Sequence, residues 1–116
     1  MIVVWAPRLI TLITGNFARA ITLFPFVLLR YHHDQYNSVL INHERIHWHQ
    51  QRELLIVPFY VLYLAEYGWR RLQGLDHMHA YLTISFEQEA YRHEADLSYL
   101  SNRPRLAFRR YYNKRH

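Results

Sequence analysis

The chain has 116 residues, a mass of 14.3 kDa and a formal net charge of +5 at pH 7. This length fits one compact domain, and 51% hydrophobic against 20% charged residues excludes a largely disordered chain, which needs low hydrophobicity and high net charge. The lack of cysteine excludes disulfide scaffolds, thiolate zinc fingers, iron–sulfur centres and cysteine nucleophiles, so any metal must be bound by histidine and carboxylate.

The positive charge is concentrated at the C-terminal end of the chain. Residues 103–116 contain six basic residues and no acidic one, whereas residues 1–102 carry eight basic against nine acidic residues, a net charge of −1. We interpret residues 1–102 as a single domain and residues 103–116 as a basic C-terminal tail. Basic runs at chain ends are more often solvated than bound to a ligand, which argues against nucleic acid as a partner.

No segment predicts a signal peptide or a membrane span. The first seven residues lack a basic start. The longest uncharged apolar stretch, residues 54–65, is shorter than the roughly 20 residues needed to cross a bilayer. We therefore expect a cytoplasmic protein. The apolar stretches 21–29 and 54–65 leave open a peripheral contact with the inner membrane, or a homodimer face.

The N-terminal third of the chain predicts extended structure. Residues 1–19 fit a strand or a short helix equally well. Residues 20–31 are rich in β-formers, and because Pro25 cannot donate to a ladder, we expect an edge strand or a strand with a bulge. The polar residues 32–36 form a connection to the first long helical pattern.

Helices are predicted over most of the remainder. Asn37 or Ser38 is expected to cap a helix from Val39 to about Val57, which Pro58 must stop or kink. A second helix is predicted over 59–72. Residues 76–81 form a loop or a helix start, and a third helix is predicted over 83–99.

Residues 43–47 spell H-E-x-x-H within the longest helical pattern. Side chains four residues apart lie on one helix face, so His43 and His47 are placed to bind one ion with Glu44 beside them. Neutral imidazole is a good ligand for Zn²⁺, which lowers the pKa of bound water towards roughly 7. The motif therefore predicts half of a zinc site, with Glu44 accepting the proton of that water.

A catalytic zinc ion normally takes a third protein ligand. The third predicted helix offers Glu87, Glu89 and Glu94. Glu87 and Glu94 share a helical stripe with Ala90, whereas Glu89 lies about 200° away from Glu87. Ala90 lets two helices approach closely, so we favour Glu87 as the third ligand of a single Zn²⁺ ion, with Glu89 and Glu94 as alternatives.

The two motifs resemble those of the glutamate zincins, or gluzincins, over about residues 20–95. The second motif, residues 87–91, reads E-Q-E-A-Y where gluzincins commonly have E-x-x-A-D or E-x-x-A-N. As a whole the chain is similar to small bacterial zincin-like proteins.

The resemblance implies His43, His47 and Glu87 as metal ligands and Glu44 as catalytic acid/base. It also matches residues 21–30 to the edge strand that zincins place beside their cleft. An extended peptide substrate would pair with such an edge through main-chain hydrogen bonds, interrupted here at Pro25.

Further residues are candidates for supporting roles. Glu94 is placed to accept the second ring proton of a ligating imidazole, or else to cap a helix or pair with an arginine. An oxyanion needs a donor besides the metal, and the candidates are Tyr91, His93, His79 and Tyr81. The aromatic residues at helical spacing after residue 47, Tyr60 and Tyr63 among them, are interpreted as core or interface residues.

These patterns predict an α+β fold: a minimal, mostly helical zincin-like domain with an HExxH helix, a facing helix and a short edge strand or small sheet. The predicted function is that of a zinc-dependent metallopeptidase acting on peptides or proteins. The alternative is a non-catalytic, metal-stabilised interaction or regulatory module, including one at a membrane surface.

Overall fold

A computed structural model describes residues 1–112 and has the predicted α+β architecture, mostly helical with one small sheet. In chain order the elements are β1 (Ile2–Trp5), α1 (Pro7–Thr14), β2 (Ala20–Leu23), β3 (Phe26–Leu29), α2 (Ser38–Leu54), α3 (Val57–Leu72), α4 (His77–Leu82), α5 (Ser85–His93) and α6 (Tyr99–Asn102). Short 3-10 helices cover His32–Tyr36 and Ala107–Tyr111. Within residues 1–112, no helix has both the length and the apolar character to span a bilayer.

The sheet has three strands, with β3 in the centre, parallel to β1 and antiparallel to β2. Residues 20–31, predicted as an edge strand or a strand with a bulge, instead form two strands, of which β2 is at the edge of the sheet and β3 is central. Pro25 lies in the tight turn between Leu23 and Phe26, where no ladder hydrogen bond is required of it, so the segment folds back as a hairpin. The strand and the helix considered for residues 1–19 both occur, one after the other.

The helix that carries the HExxH motif begins and ends close to its predicted bounds. Asn37 is the N-cap, and its side chain accepts a hydrogen bond from the backbone N–H of Leu40 at 3.1 Å. The helix ends at Leu54 rather than Val57, because Leu55 adopts a left-handed backbone conformation with φ 58°. Pro58 lies in the first turn of α3, where its missing N–H removes no helical hydrogen bond.

The helix predicted over 83–99 is wrong in its bounds, because other helices determine where α5 begins and ends. Glu66 of α3 accepts hydrogen bonds from the backbone N–H and the hydroxyl of Ser85, at 2.9 and 2.6 Å. At the other end, the amide of Asn42 donates to the carbonyls of Glu94 and Asp96, at 2.8 and 3.1 Å. These tertiary contacts satisfy both helix ends and place the carboxylates of α5 against α2.

The basic C-terminal segment packs on the domain as far as the structure describes it. Phe108 joins Phe59, Ile84 and Phe86 in the hydrophobic core. The side chain of Arg103 is 5% exposed and forms ion pairs with two carboxylates. The segment therefore differs from the solvated tail expected there in that the side chains of Arg103 and Phe108 are buried, although Arg105, Arg109 and Arg110 are exposed. Lys114 and Arg115 of that tail lie outside the described residues.

Candidate metal centre

Three buried side chains from two helices converge on one point. His43 and His47 come from α2, and Glu87 comes from α5, so the facing-helix arrangement expected from the sequence is present. Glu87 Oε1 lies 3.2 Å from His43 Nε2 and 3.0 Å from His47 Nε2, and the two Nε2 atoms are 3.2 Å apart. Tetrahedral ligands about 2.0–2.1 Å from a zinc ion are roughly 3.3 Å from one another, so this spacing suits a metal ion.

The orientation of His47 is fixed by a residue that the sequence analysis missed. Gln50 donates its amide hydrogens to the carbonyl of Phe86 and to Glu89 Oε1, at 3.1 and 3.0 Å. Its oxygen must then accept from His47 Nδ1 at 2.8 Å. The proton of a neutral His47 ring is therefore on Nδ1, and Nε2 presents a lone pair to the site. The i, i+3 spacing from His47 was the only sequence signal for this contact.

His43 is oriented in the same way by a carboxylate. Its Nδ1 lies 3.1 Å from Glu94 Oε1, in the segment just after α5, and donates to it. This is the contact considered for Glu94 in the sequence analysis. A ligating histidine commonly donates its second ring N–H to such a partner, which leaves Nε2 for the metal.

The charge balance at this point calls for a cation. Burial alone would lower the pKa of His47, but the adjacent Glu87 carboxylate raises it to about 9. The same carboxylate raises the pKa of His43, against the effect of burial. Burial favours protonated Glu87, yet the two imidazoles hold the pKa of this carboxyl well below its usual range. Three acceptor atoms about 3 Å apart repel one another unless a proton or a metal ion lies among them.

Glu44, the remaining residue of the motif, is held beside the three ligand atoms. Its side chain is buried, and its Oε1 accepts a hydrogen bond from the hydroxyl of Thr22 at 2.9 Å. Its other oxygen, Oε2, lies 3.9 Å from His43 Nε2. One carboxylate oxygen is thus anchored to strand β2, and the other lies near the candidate ligands.

Tyr63 packs against the hydrophobic core, as its interpretation as a core or interface residue expects, and its hydroxyl also belongs to the site. Its hydroxyl donates to Glu87 Oε2 at 2.7 Å, which leaves Oε1 for the imidazoles. Burial raises the pKa of Tyr63 well above its ordinary value, so the hydroxyl remains a donor. In the sequence, the one sign of this role was that Tyr63 lies at helical spacing from the polar residues Glu66 and Arg70, which share the inward side of α3 with it.

Of the four residues considered as oxyanion donors, the two tyrosines lie beside the candidate metal site, whereas the contacts of the two histidines are with residues outside it. The ring of Tyr91 lies 4.5 Å from that of His43, and its hydroxyl is 3.0 Å from the hydroxyl of Tyr81, so this tyrosine pair flanks the site. The ring of His93 stacks on that of Tyr99, and its Nε2 lies 2.8 Å from the hydroxyl of Tyr111. The exposed ring of His79 contacts Asp76 at 2.8 Å.

The carboxylates considered as alternative ligands have other partners. Glu89 is fully buried and pairs with Arg103, and it also accepts from the Tyr99 hydroxyl at 2.6 Å. Glu94 binds the far side of the His43 ring. Of the three, the structure brings Glu87 to the two Nε2 atoms.

The outer edge of β2 is covered by side chains of this chain, which differs from the expected peptide-binding edge. The carbonyl of Thr22 accepts from Gln51 Nε2 and from the Tyr60 hydroxyl, both at 2.7 Å. The N–H of Phe24 donates to Gln51 Oε1 at 2.8 Å. Main-chain groups that a substrate would need at these two residues are thus already paired.

Comparison with protein-family models, with curated proteins and with solved structures finds no match to this chain.

Proposed function

We propose that this chain is a zinc-dependent metallopeptidase, in which His43, His47 and Glu87 bind one zinc ion and Glu44 is the general base. The observation that carries the proposal is the meeting of two imidazole Nε2 atoms and one carboxylate oxygen within 3.2 Å of one another. The resemblance of both motifs to those of gluzincins supports it.

The donor set fits zinc better than it fits magnesium or calcium. Two neutral imidazoles and one carboxylate are the ligands of many catalytic zinc sites, whereas magnesium and calcium prefer oxygen ligands alone. Gln50 and Glu94 hold the Nδ1 protons and so keep both Nε2 lone pairs directed at one point. Three protein ligands leave a fourth tetrahedral position open.

The residues around the ligands support a role in peptide hydrolysis. A bound zinc ion supplies a Lewis acid that polarises a carbonyl and lowers the pKa of water towards 7. Glu44 accepts a proton from the attacking water at Oε2 and passes it to the leaving nitrogen, while Thr22 holds Oε1. The hydroxyls of Tyr91 and Tyr81 are the nearest candidates for stabilising the oxyanion. We expect the substrates to be peptides of the cytoplasm.

A second candidate function is a structural zinc site that ties α2 to α5 in an interaction module. Two observations favour it: the ligand side chains are nearly fully buried, and the β2 edge at Thr22 and Phe24 is paired within the chain. In that case Glu44 would have no chemical role, which separates the two candidates experimentally.

Substitution of Glu44 distinguishes catalysis from structure. We expect Glu44→Gln to keep one zinc ion and its thermal stability but to lose peptide cleavage by at least about a hundredfold, because the base is gone. His47→Ala should lose both zinc and cleavage. The measurement is mass-spectrometric detection of new termini in a mixed peptide library, with zinc content determined on the same samples. Cleavage by Glu44→Gln at the wild-type rate would contradict the proposal. Zinc binding by the wild type without any cleavage would favour the structural site.

A further inference from the structure

Helix α3 buries most of its charged residues and one aromatic side, while most of its aliphatic residues are exposed. Glu66 and Arg70 are buried, and Tyr63 reaches the candidate metal site from the same inward side. The outward face carries Val57, Val61, Leu64 and Leu72, which are 70%, 61%, 64% and 83% exposed. This is the reverse of a surface helix in water, whose apolar stripe is directed at the core.

The outward face of α3 is continuous and nearly uncharged. Successive residues at spacings of three or four place its aliphatic side chains on one side, with Leu62 and the 60% exposed Trp69 along one border. Arg71 is the only exposed charged residue of the helix, and it lies in the last turn. Contiguous apolar surface of this kind marks an interaction site.

The surface of the protein as a whole is far more basic than the net charge suggests. Five of the nine acidic residues are buried, two are half-buried, and Asp76 and Asp96 are exposed. Nine arginines within residues 1–112 are exposed, and one of these, Arg19, is paired with buried Asp34. The charge in contact with solvent is therefore strongly positive.

Part of this basic surface borders α3 directly. Tyr112 lines a groove together with Leu62, Ala65 and Trp69, and its carbonyl accepts from Arg70 at 3.1 Å. Arg109 and Arg110 are exposed in the 3-10 helix that leads to Tyr112. The apolar face is thus bordered by the exposed aromatic residues Trp69 and Tyr112, and exposed arginines lie close to Tyr112 in the sequence. Arginine and aromatic residues together are found at the boundary between lipid and water.

We propose that the outward face of α3 docks on an anionic membrane surface. The aliphatic side chains enter the boundary of the acyl chains, while Arg71, Arg109 and Arg110 contact anionic headgroups. The helix, with 16 residues, lies along the surface. A second copy of this chain fits the face less well, because its surface carries the same positive charge and offers few exposed carboxylates to pair with it. The inference is independent of the metal site.

Sedimentation with vesicles tests the proposal on the full-length protein. We expect binding to vesicles of phosphatidylcholine with phosphatidylglycerol, and at least tenfold weaker binding by the double variant Val61→Ser/Leu64→Ser, roughly the loss expected for the apolar surface removed. The matched control is Leu97→Ser, which removes an equally exposed leucine outside α3 and should bind as the wild type does.

A second variant tests the arginines near Tyr112. Arg109→Ser/Arg110→Ser should weaken binding to the anionic vesicles by roughly fivefold per arginine, while the exposed Arg45→Ser on α2 should have a smaller effect. Circular dichroism shows whether each variant is folded, and only folded variants enter the comparison. Equal binding of the wild type and Val61→Ser/Leu64→Ser would overturn the proposal. The proposal would also be overturned if the wild type did not bind vesicles but formed a dimer without lipid, measured by light scattering, and if Val61→Ser/Leu64→Ser dissociated that dimer.

Discussion

Removing the metal from the zinc-loaded protein should lower its midpoint of thermal unfolding by roughly 10 °C or more. A ligand at about a thousand times its Kd stabilises the folded state by about 4 kcal/mol, and each kcal/mol shifts the midpoint of a domain of this size by about 4 °C. The loss is expected because removal takes a divalent cation away from the buried Glu87 carboxylate. Calorimetry before and after treatment with a chelator, and again after zinc is restored, measures the effect.

Two histidine variants serve as matched controls for this experiment. His47→Ala removes a ligand, so its midpoint should already be low and should not respond to the chelator. His79→Ala removes an exposed imidazole whose described partner is Asp76, and it should respond as the wild type does. A wild-type midpoint that is the same with and without chelator would contradict the assignment of the site.

Replacing Arg103 by alanine should reduce the free energy of unfolding by about 3–5 kcal/mol. The guanidinium is 5% exposed and pairs with Glu89, which is fully buried, and with Glu53, 2.9 Å away. Removing it leaves a buried carboxylate without its counter-ion. Glu89 in turn accepts from Gln50, which orients His47, so the variant should also bind zinc more weakly. Urea denaturation, monitored by circular dichroism, gives the stability change.

The neighbouring Arg105 provides the control for Arg103. Its side chain is exposed, so Arg105→Ala should change the stability by no more than about 0.5 kcal/mol. If Arg103→Ala were as mild as Arg105→Ala, the buried ion pair would not be a significant part of the folded structure.

Much of the candidate metal centre was predictable because its residues obey short-range geometry. The spacing of His43 and His47 places both rings on one helix face whatever surrounds the helix. The stripe argument that favoured Glu87 over Glu89 needed only the helical period, and both residues do lie on α5. Asn37 was identified as a cap candidate because capping is also local.

The parts that could not be predicted depend on contacts distant in the sequence. No residue near Glu94 in the sequence marks the end of α5. The side-chain amide of Asn42, more than fifty residues away, donates hydrogen bonds to the carbonyls at the end of this helix. In the sequence, Arg103 is indistinguishable from the other basic residues near the C-terminus. Only the fold places Glu53 and Glu89 beside it. A pattern of charges along the chain does not reveal which of them will be paired in the interior.

The sequence did not predict which side of α3 is buried, for a different reason. Its apolar residues repeat with the helical period, and such a stripe normally marks the buried side. Here the buried side combines Phe59 with polar residues, because Glu66 caps α5 and Tyr63 holds Glu87, and the aliphatic stripe is left exposed. The inward face was determined by the site and by the ends of a neighbouring helix.

The metal content of the purified protein tests the central claim most directly. Elemental mass spectrometry of the wild type, prepared without added metal, should find close to one zinc ion per chain. The Glu87→Gln variant should retain much less, and Asp96→Asn, which alters an exposed carboxylate, should retain as much as the wild type. Less than about a tenth of an equivalent of any divalent metal in the wild type, with none taken up when zinc is supplied, would show that these three side chains do not form a metal site.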